Sequence, residues 1–296
     1  MSLFLYAVTV IIWGTTWIAI KLQIGSVDLV VSVFYRFAIA GFIMMLGLLI
    51  LRRLQPVQLK DHLWFFLQGC CLFCFNFICF YYTSQSMASG LVSIIFSLAI
   101  FFNAINNRLF WGVAPIKSIY IAGCLGVIGL VLLFWPEVKN ATASAELLKG
   151  FGLGILGTAF FSLGNMITVR HKRNGINPLT SNAYGMNYGA AMLLLIVFLA
   201  GGQFTWDSRP EYVYSLVYLA IPGSVIAFTT YLSLVNRLGA NQAAYATVMF
   251  PVVALAISWV YEGYIWGVTN SLGLVCVLLG NAVALNLIPI KLVNRR

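Results

Sequence analysis

Residues 29–51 read LVVSVFYRFAIAGFIMMLGLLIL, an apolar run whose only charged residue is Arg36. A helix needs about 20 apolar residues to cross the hydrocarbon core of a bilayer, so this run is long enough to span a membrane. The rest of the chain is similar, since 61% of the 296 residues are hydrophobic and only 8% are charged. A soluble domain carries about 25% charged residues, so this composition predicts a protein embedded almost entirely in lipid.

Ten such runs follow one another along the chain. They are Leu3–Ile20, Leu29–Leu51, Leu63–Tyr82, Leu91–Asn106, Ile119–Trp135, Leu147–Val169, Thr180–Leu199, Val213–Val235, Gln242–Tyr261 and Ser271–Ile288. Their polarity does not alternate over short segments, as it would in the strands of a membrane β-barrel. The sequence therefore predicts an all-α membrane protein with ten transmembrane helices that contact the lipid bilayer.

The net charge of +10 comes from basic residues in the short loops between the runs. With the N-terminus in the cytoplasm, twelve lysines and arginines fall on the cytoplasmic side and four on the other side, while Arg36 lies inside a run. Six of the seven acidic residues, all but Asp61, fall on the less basic side. This bias predicts a multi-pass protein of the bacterial inner membrane with both termini in the cytoplasm, and it explains the charge without a nucleic-acid partner.

The chain divides near its middle, at the hydrophilic connection formed by residues 136–149. Both parts contain a Trp-Gly pair after the fourth run of five, at 111–112 and at 266–267, an offset of 155 residues. Because five helices per half is an odd number, a second half related to the first must sit upside down in the membrane. We therefore expect two inverted five-helix repeats, residues 1–136 and 137–296.

The sequence offers no candidate for catalysis or for a resident metal. All six cysteines lie inside apolar runs, and Cys71 and Cys74 form a CxxC pair without the second pair that a structural zinc site needs. The sequence contains no HExxH motif, no GxSxG motif and no pair of intramembrane aspartates. We expect no catalytic residue, no cofactor and no enzymatic activity.

Three stretches carry a family pattern in their order and spacing. They are Trp13-Gly14-Thr15-Thr16-Trp17, Tyr35-Arg36-Phe37-Ala38, and Asn236-Arg237-Leu238-Gly239-Ala240-Asn241-Gln242-Ala243-Ala244 followed by Pro251-Val252-Val253-Ala254 and Glu262. Together they resemble the EamA-type members of the drug/metabolite transporter (DMT) superfamily. This resemblance implies ten helices in two repeats and the export or exchange of small metabolites by alternating access. It also implies a central cavity lined by helices one, three, four, six, eight and nine.

One departure from the family pattern lies in the fourth run. Members commonly carry a proline and a glutamate there, as the ninth run does with Pro251 and Glu262. The corresponding residues of this chain are Phe96 and Asn107. The first repeat therefore lacks the proline–glutamate signature, and the resemblance does not carry any role of this pair over to the fourth helix.

Polar and aromatic residues on the helices that line the family's cavity are the candidate substrate-binding residues. They are Trp13, Thr16, Trp17, Asn76, Phe80, Asn103, Asn165, Tyr231, Tyr245 and Met249. The rings would provide contact area and the amides would orient an amphipathic organic solute. Hydrogen bonding between helices, at about 0.6 kcal/mol per contact, explains any one of the polar residues equally well.

Three further residues have a gating or structural interpretation. Arg36 either contacts an anion such as a carboxylate, or serves as a snorkelling anchor or an internal partner for a carbonyl. Pro251 would free a backbone carbonyl within its helix and permit a kink. Glu262 ends the ninth run, where a gate or structural role is favoured over proton transfer.

The sequence predicts a secondary transporter that exports or exchanges small organic metabolites. Amino acids or related neutral solutes are favoured because a site for cationic drugs generally needs a membrane-embedded carboxylate. No Asp, Glu or His lies near the middle of any run, which favours facilitated diffusion or exchange over proton coupling. A multidrug exporter is the alternative within transport, and a structural or receptor membrane protein is the alternative outside it. A monomer and a homodimer fit equally.

Overall fold

The computed structural model describes residues 2–113, 118–139, 145–238, 246–263 and 267–284. Every regular element within these ranges is helical. Eight of the described helical segments are long and apolar enough to cross a membrane: Leu3–Leu22, Leu29–Ile50, Leu59–Ser86, Ser89–Trp111, Ser118–Trp135, Ala145–Arg173, Pro178–Leu199 and Pro210–Tyr231.

These eight segments coincide with the first eight predicted runs, so the prediction of a helical membrane protein is confirmed. The described parts of the ninth and tenth runs form shorter apolar helices, Met249–Tyr261 and Val268–Val283. The total of ten transmembrane helices therefore stays a prediction. The fourth segment begins at Ser89, before the predicted Leu91, and continues beyond the predicted end at Asn106 to Trp111.

The first five segments contain seven α-helices, two pairs of which form single segments. The α-helices are α1 (Ser2–Leu22), α2 (Leu29–Ile50), α3 (Leu59–Gly69), α4 (Asn76–Ser86), α5 (Ser89–Ser97), α6 (Ala99–Trp111) and α7 (Ser118–Lys139). A π-helical segment, Cys70–Phe75, joins α3 to α4. Leu98 separates α5 from α6, so the helix of the fourth segment is interrupted near its middle.

The remaining described helices also include a π-helical segment. They are α8 (Ala145–Arg173), α9 (Pro178–Leu199), α10 (Pro210–Ala220), α11 (Ala227–Leu238), α12 (Ala246–Tyr261) and α13 (Val268–Ala284). A second π-helical segment, Ile221–Ile226, joins α10 to α11 and contains Pro222. Each π segment follows a helix of 11 residues, α3 in one case and α10 in the other.

Side-chain caps mark where two of the helices begin. The carboxylate of Asp28 accepts a hydrogen bond from the backbone N–H of Val30 at 2.8 Å, which satisfies one of the free donors at the start of α2. Asn177 does the same for Leu179 at 2.9 Å, and Pro178 supplies a fixed φ at the first position of α9. These polar signals fix the two boundaries within an otherwise apolar sequence.

Glycines allow two pairs of helices to pack backbone against backbone. A Cβ atom on Gly129 of α7 would lie 2.7 Å from the carbonyl oxygen of Gly273 in α13, and 2.6 Å from a methyl group of Val277. A Cβ atom on Gly69 of α3 would lie 2.5 Å from the carbonyl oxygen of Gly185 in α9. Small residues permit such close approach in lipid, where helices associate by packing rather than by exclusion of water.

Contacts between helix ends define two opposite ends of the molecule. At the Lys21 end, the Lys21 ammonium donates hydrogen bonds to the carbonyl oxygens of Ser84 (2.8 Å) and Met87 (2.9 Å). At the Asp61 end, Asp61 of α3 forms an ion pair of 3.1 Å with Arg170 of α8. Asp61 is the acid that the loop charges place on the basic side, and its partner there is a cation.

A second contact at the Lys21 end joins the loops before α2 and before α10. The Ser26 hydroxyl donates to the Asp207 carboxylate at 2.9 Å, and Arg209 forms an ion pair with the same carboxylate at 2.7 Å. Hydrogen bonds from the Arg209 side chain and backbone lower the pKa of Asp207 to about 2. The carboxylate is therefore ionised at any physiological pH.

Candidate functional site

A narrow cavity lies where helices from both parts of the chain meet. Its volume is about 50 Å³, well below the several hundred Å³ of a typical site for an organic ligand. An organic solute therefore fits only if the surrounding helices move apart. The cavity is lined by Trp13, Thr16, Trp17, Ile20, Arg36, Asn76, Phe77, Phe80, Phe96, Phe161, Gly223, Phe228 and Phe250.

Aromatic rings form most of the cavity wall, with Trp17 of α1 at their centre. The Trp17 ring contacts those of Phe80, Phe96 and Phe250 at centroid distances of 5.3, 5.5 and 6.3 Å. Phe96 also packs edge-on against Phe161 of α8 at 4.6 Å. These distances are typical of favourable ring pairs, so the cluster is a well-packed apolar surface.

Two uncharged polar side chains of the cavity, Thr16 and Asn76, are already bonded to nearby backbone, whereas the buried indole N–H of Trp17 has no partner among the described residues. The side-chain amide of Asn76 donates to the carbonyl oxygen of Gly157 at 2.8 Å, which ties α4 to α8. The Thr16 hydroxyl donates to the carbonyl oxygen of Trp13 at 2.7 Å, one turn earlier in α1. Both bonds are of the kind expected between or within helices in lipid.

Arg36 is the charged residue of the cavity wall. Its side chain is only 2% exposed, and its Nε donates to the Ser224 hydroxyl at 3.3 Å. The guanidinium carbon lies 4.4 Å from the ring centroid of Phe77 and 5.1 Å from that of Phe37. Within the described part of the chain, its buried Nη1 has no hydrogen-bond partner.

Six of the predicted residues line this cavity together: Trp13, Thr16, Trp17, Arg36, Asn76 and Phe80. Two other predicted residues pair with each other, since the amide of Asn165 donates to that of Asn103 at 3.3 Å. The Tyr231 ring lies 4.9 Å from that of Trp13, directly behind the wall. Met249 is 46% exposed and is not among the lining residues, and Tyr245 lies outside the described residues.

Glu262 and Pro251 occupy different parts of the same region. Pro251 lies inside α12, one residue after the lining residue Phe250, and is buried. Glu262 directly follows α12 at the Lys21 end, where its carboxylate accepts hydrogen bonds from the backbone N–H and the hydroxyl of Ser89. It therefore joins the end of α12 to the start of α5.

Seven of the thirteen described lining residues were not predicted from the sequence. They are Ile20, Phe77, Phe96, Phe161, Gly223, Phe228 and Phe250. Phe96 was noted only as the residue that replaces the family's proline in the fourth run. The Phe96 ring lines the cavity and contacts those of Phe80 and Phe250.

Within the described ranges, no three His, Cys, Asp or Glu residues come together as metal ligands. The six cysteines, all of them described, are free thiols, and Cys74 in the first π segment is buried. The described part of the cavity wall thus consists of eight aromatic side chains, Thr16, Asn76, Ile20, Gly223 and the guanidinium of Arg36. Such a surface is suited to binding an organic molecule rather than a metal ion.

Known proteins match nearly the whole chain. The model of the EamA-like transporter family matches residues 1–135 and 148–286. The uncharacterized transporter YoaV of Bacillus subtilis is 24% identical over 84% of this chain and 84% of its own length. The uncharacterized inner membrane transporter YedA of Escherichia coli K12 is 25% identical over 83% of this chain and 78% of its own.

A solved crystal structure has a similar fold. It superposes with a TM-score of 0.68 at 17% identity and covers 97% of both chains. Identity this low shows similarity of fold alone, whereas the family match extends through both parts of the chain. The predicted resemblance is confirmed, and the family is one of transporters rather than enzymes. The chain belongs to the EamA-like transporter family and is a multi-pass membrane transporter of small solutes.

Proposed function

We propose that the protein is a secondary transporter that exports or exchanges small organic metabolites by alternating access. The observation that carries this proposal is the aromatic cavity, whose wall combines Trp17 and Asn76 from one part of the chain with Phe161 and Phe250 from the other. A site shared between two parts of a chain can open to either side of the membrane when those parts move relative to each other.

We further propose that the chain consists of ten helices in two inverted repeats, residues 1–136 and 137–296. The two π segments support this arrangement, because each begins after an 11-residue helix in the third and in the eighth predicted helix. The predicted fifth and tenth helices, α7 and α13, support it too. They pack on each other through Gly129 and Gly273, as equivalent helices beside a twofold axis would.

The proposed orientation places the Asp61 end and both termini in the cytoplasm. It rests on the twelve-to-four split of basic residues between the two sets of loops. The relative YedA carries the words inner membrane in its name. We therefore propose the cytoplasmic membrane of a bacterium as the location, with the Lys21 end facing outward.

The Lys21 end then forms a closed outer gate. Lys21 binds the carbonyl oxygens of Ser84, in the last turn of α4, and of Met87, directly after it, and Glu262 binds the start of α5. These bonds link α1, the α4–α5 connection and α12. They must break before a solute can leave the cavity on this side, so alternating access requires a second conformation in which they are absent.

Among the described residues that line the cavity, none has a carboxylate or imidazole that could carry a proton through it. This supports facilitated diffusion or exchange over proton coupling. It also supports neutral or anionic metabolites over cationic drugs, for which the multidrug alternative would need an embedded acid. The alternative of a purely structural or receptor protein is less well supported, because it does not account for a cavity formed by both parts of the chain.

Transport is tested with purified protein in proteoliposomes and a panel of labelled metabolites that includes amino acids, sugars and organic cations. We expect saturable, protein-dependent equilibration of some metabolites without a pH gradient, and faster uptake when the vesicles are preloaded with the same solute. Protein-free liposomes and the Trp17→Ala variant serve as controls. Concentrative uptake only with a pH gradient would contradict facilitation, and equal uptake with and without protein would contradict transport of the panel.

A further inference from the structure

We infer that the transported solute carries a single carboxylate that pairs with Arg36, and an apolar or aromatic body that packs on the rings of the cavity. The inference rests on the proposed transport function and specifies the substrate class. It begins from a positive charge that the protein buries without supplying a negative one.

The position of Arg36 contradicts the interpretation of the residue as a snorkelling anchor. A snorkelling arginine extends its guanidinium to the membrane surface, where water and lipid headgroups solvate the charge. The Arg36 side chain instead lies inside the bundle, where it is 2% exposed and lines the cavity. Ser224 and the Phe77 ring hold the guanidinium in place.

The neighbours of the guanidinium leave part of it unsatisfied. Nε bonds to the Ser224 hydroxyl, and the Tyr81 hydroxyl lies beside the group, but Nη1 is buried and has no partner among the described residues. Hydroxyls and rings stabilise a cation only partly, and an unbonded buried donor is costly. Retaining such a group in lipid indicates a partner that arrives from elsewhere.

The acidic side chains with described contacts are engaged away from Arg36. The ion pairs found in the described ranges join Asp61 to Arg170 and Asp207 to Arg209. Asp28 caps α2, and Glu262 binds Ser89. The missing anion is therefore not any of these four side chains, and the guanidinium lines the cavity that a solute would enter once the surrounding helices move apart.

The rest of the wall restricts what that anion can be. Arg36 is the one cationic side chain among the described lining residues and balances one negative charge, so a monocarboxylate fits better than a phosphate or a dicarboxylate. The surrounding rings, among them Trp13, Trp17 and Phe228, would cover an apolar or aromatic body. An amino acid meets this description, because its ammonium group can lie against a ring face.

The inference is tested by ligand-induced stabilisation of the purified full-length protein. The probes are L-phenylalanine, L-leucine and 3-phenylpropanoate, each paired with its primary amide, together with any panel member that the proteoliposomes transport. A ligand that binds the folded state raises the midpoint of thermal unfolding. We expect the carboxylates to raise this midpoint and the amides to bind about ten- to a hundredfold more weakly, since the amides lose a charge-assisted hydrogen bond.

Variants of Arg36 separate substrate binding from a structural role. Arg36→Gln removes the unpaired charge, so the unliganded midpoint should equal or exceed that of the wild type, while the response to carboxylates is lost. Arg36→Lys should keep a weakened response. Arg53→Gln removes an exposed arginine at the Asp61 end and should leave both measurements unchanged. A lower unliganded midpoint in Arg36→Gln, with carboxylates and amides still equally effective, would show that Arg36 is structural.

The remaining outcomes distinguish this inference from the proposed function. Transport of neutral solutes by both the wild type and Arg36→Gln would overturn the carboxylate assignment and leave the transport function intact. Failure of every carboxylate to stabilise the wild type would also overturn the assignment. Absence of any transport in the proteoliposome panel would overturn both.

Discussion

The Glu262 carboxylate accepts hydrogen bonds from the backbone N–H of Ser89 at 3.0 and 3.2 Å, and a further one from its hydroxyl. Ser89 is the first residue of α5, so the carboxylate satisfies donors that have no partner within the helix and faces the positive end of the helix dipole. The bond joins residues 173 positions apart and holds two proposed repeats together at the Lys21 end.

Replacing Glu262 should loosen this end. Glu262→Ala removes hydrogen bonds to a charged group, which contribute about 1.5–3 kcal/mol each where they are buried and less at a partly exposed site. We expect a cysteine at the buried position Ser84 to react several-fold faster with a membrane-impermeant maleimide in intact cells, in a background without native cysteines. Glu211→Ala, the loss of an exposed acid in the first turn of α10, should not change this rate. Equal labelling in the two variants would exclude the gate.

The ion pair at the opposite end should contribute to stability rather than to transport specificity. Asp61→Asn leaves the Arg170 guanidinium without its partner in a largely buried position, and we expect a loss of about 1–3 kcal/mol of unfolding free energy. Thermal unfolding in a mild detergent measures the effect. Adding Arg170→Gln should restore part of the loss, because the two residues act as a pair. Strictly additive losses would contradict a direct interaction.

Two glycines of α7 should respond oppositely to alanine. Gly129 contacts Gly273 and Val277, so an added methyl group must push α13 away, at a cost of about 1–3 kcal/mol. Gly123 in the same helix has no atom within 4 Å of an added Cβ, so Gly123→Ala should be neutral or stabilise the helix by up to about 1 kcal/mol. Unfolding midpoints of the two variants provide the comparison. An unchanged midpoint for Gly129→Ala would show that the two helices are not this close.

Transport should depend on the ring at position 17. Trp17→Ala removes contacts with Phe80, Phe96 and Phe250 and leaves a void where the solute body is expected to pack. We expect a loss of at least about tenfold in uptake of a transported panel member. Trp17→Phe keeps a ring and should retain most of the activity. Trp259→Ala, at an exposed position on α12, is the matched control. Unchanged uptake by Trp17→Ala would remove Trp17 from the site.

The membrane segments were predictable because a helix that crosses lipid must consist mainly of apolar residues. A run of apolar residues is visible without knowledge of its neighbours, and the loop charges add an orientation. The cavity positions on α1 were predictable for a similar reason. Trp13, Thr16 and Trp17 are three and four residues apart, which places them on one face of a helix, and all three line the cavity.

The phenylalanines of the cavity could not be predicted in this way. In a soluble protein, apolar residues mark the inside, but in lipid they cover both the core and the outer surface. Phe96 lines the cavity whereas Phe42 is 64% exposed, and no local pattern in the sequence separates them. Met249 was predicted to bind substrate but is not among the lining residues. An apolar residue on a cavity-lining helix can also face outward.

The π segments were equally hidden from the sequence. Residues 70–75 contain neither proline nor glycine, so no residue type marks where the hydrogen-bonding pattern changes. The second π segment does contain a proline, Pro222, but a proline is equally compatible with an ordinary kink. The asparagines at 103 and 165 illustrate a different difficulty, since a polar residue in lipid is satisfied as well by a second amide as by a solute.

The buried charge of Arg36 also bears on what an empty carrier does to the cell. A fixed positive charge in a narrow, weakly polar passage repels sodium ions and hydronium ions, because no counter-charge among the lining residues screens it. In the proposed transport cycle, a carrier without cargo would therefore conduct few cations, and the membrane potential would be preserved. Arg36, the side chain that would select the solute, would then also prevent cations from leaking through the cavity when no solute is bound.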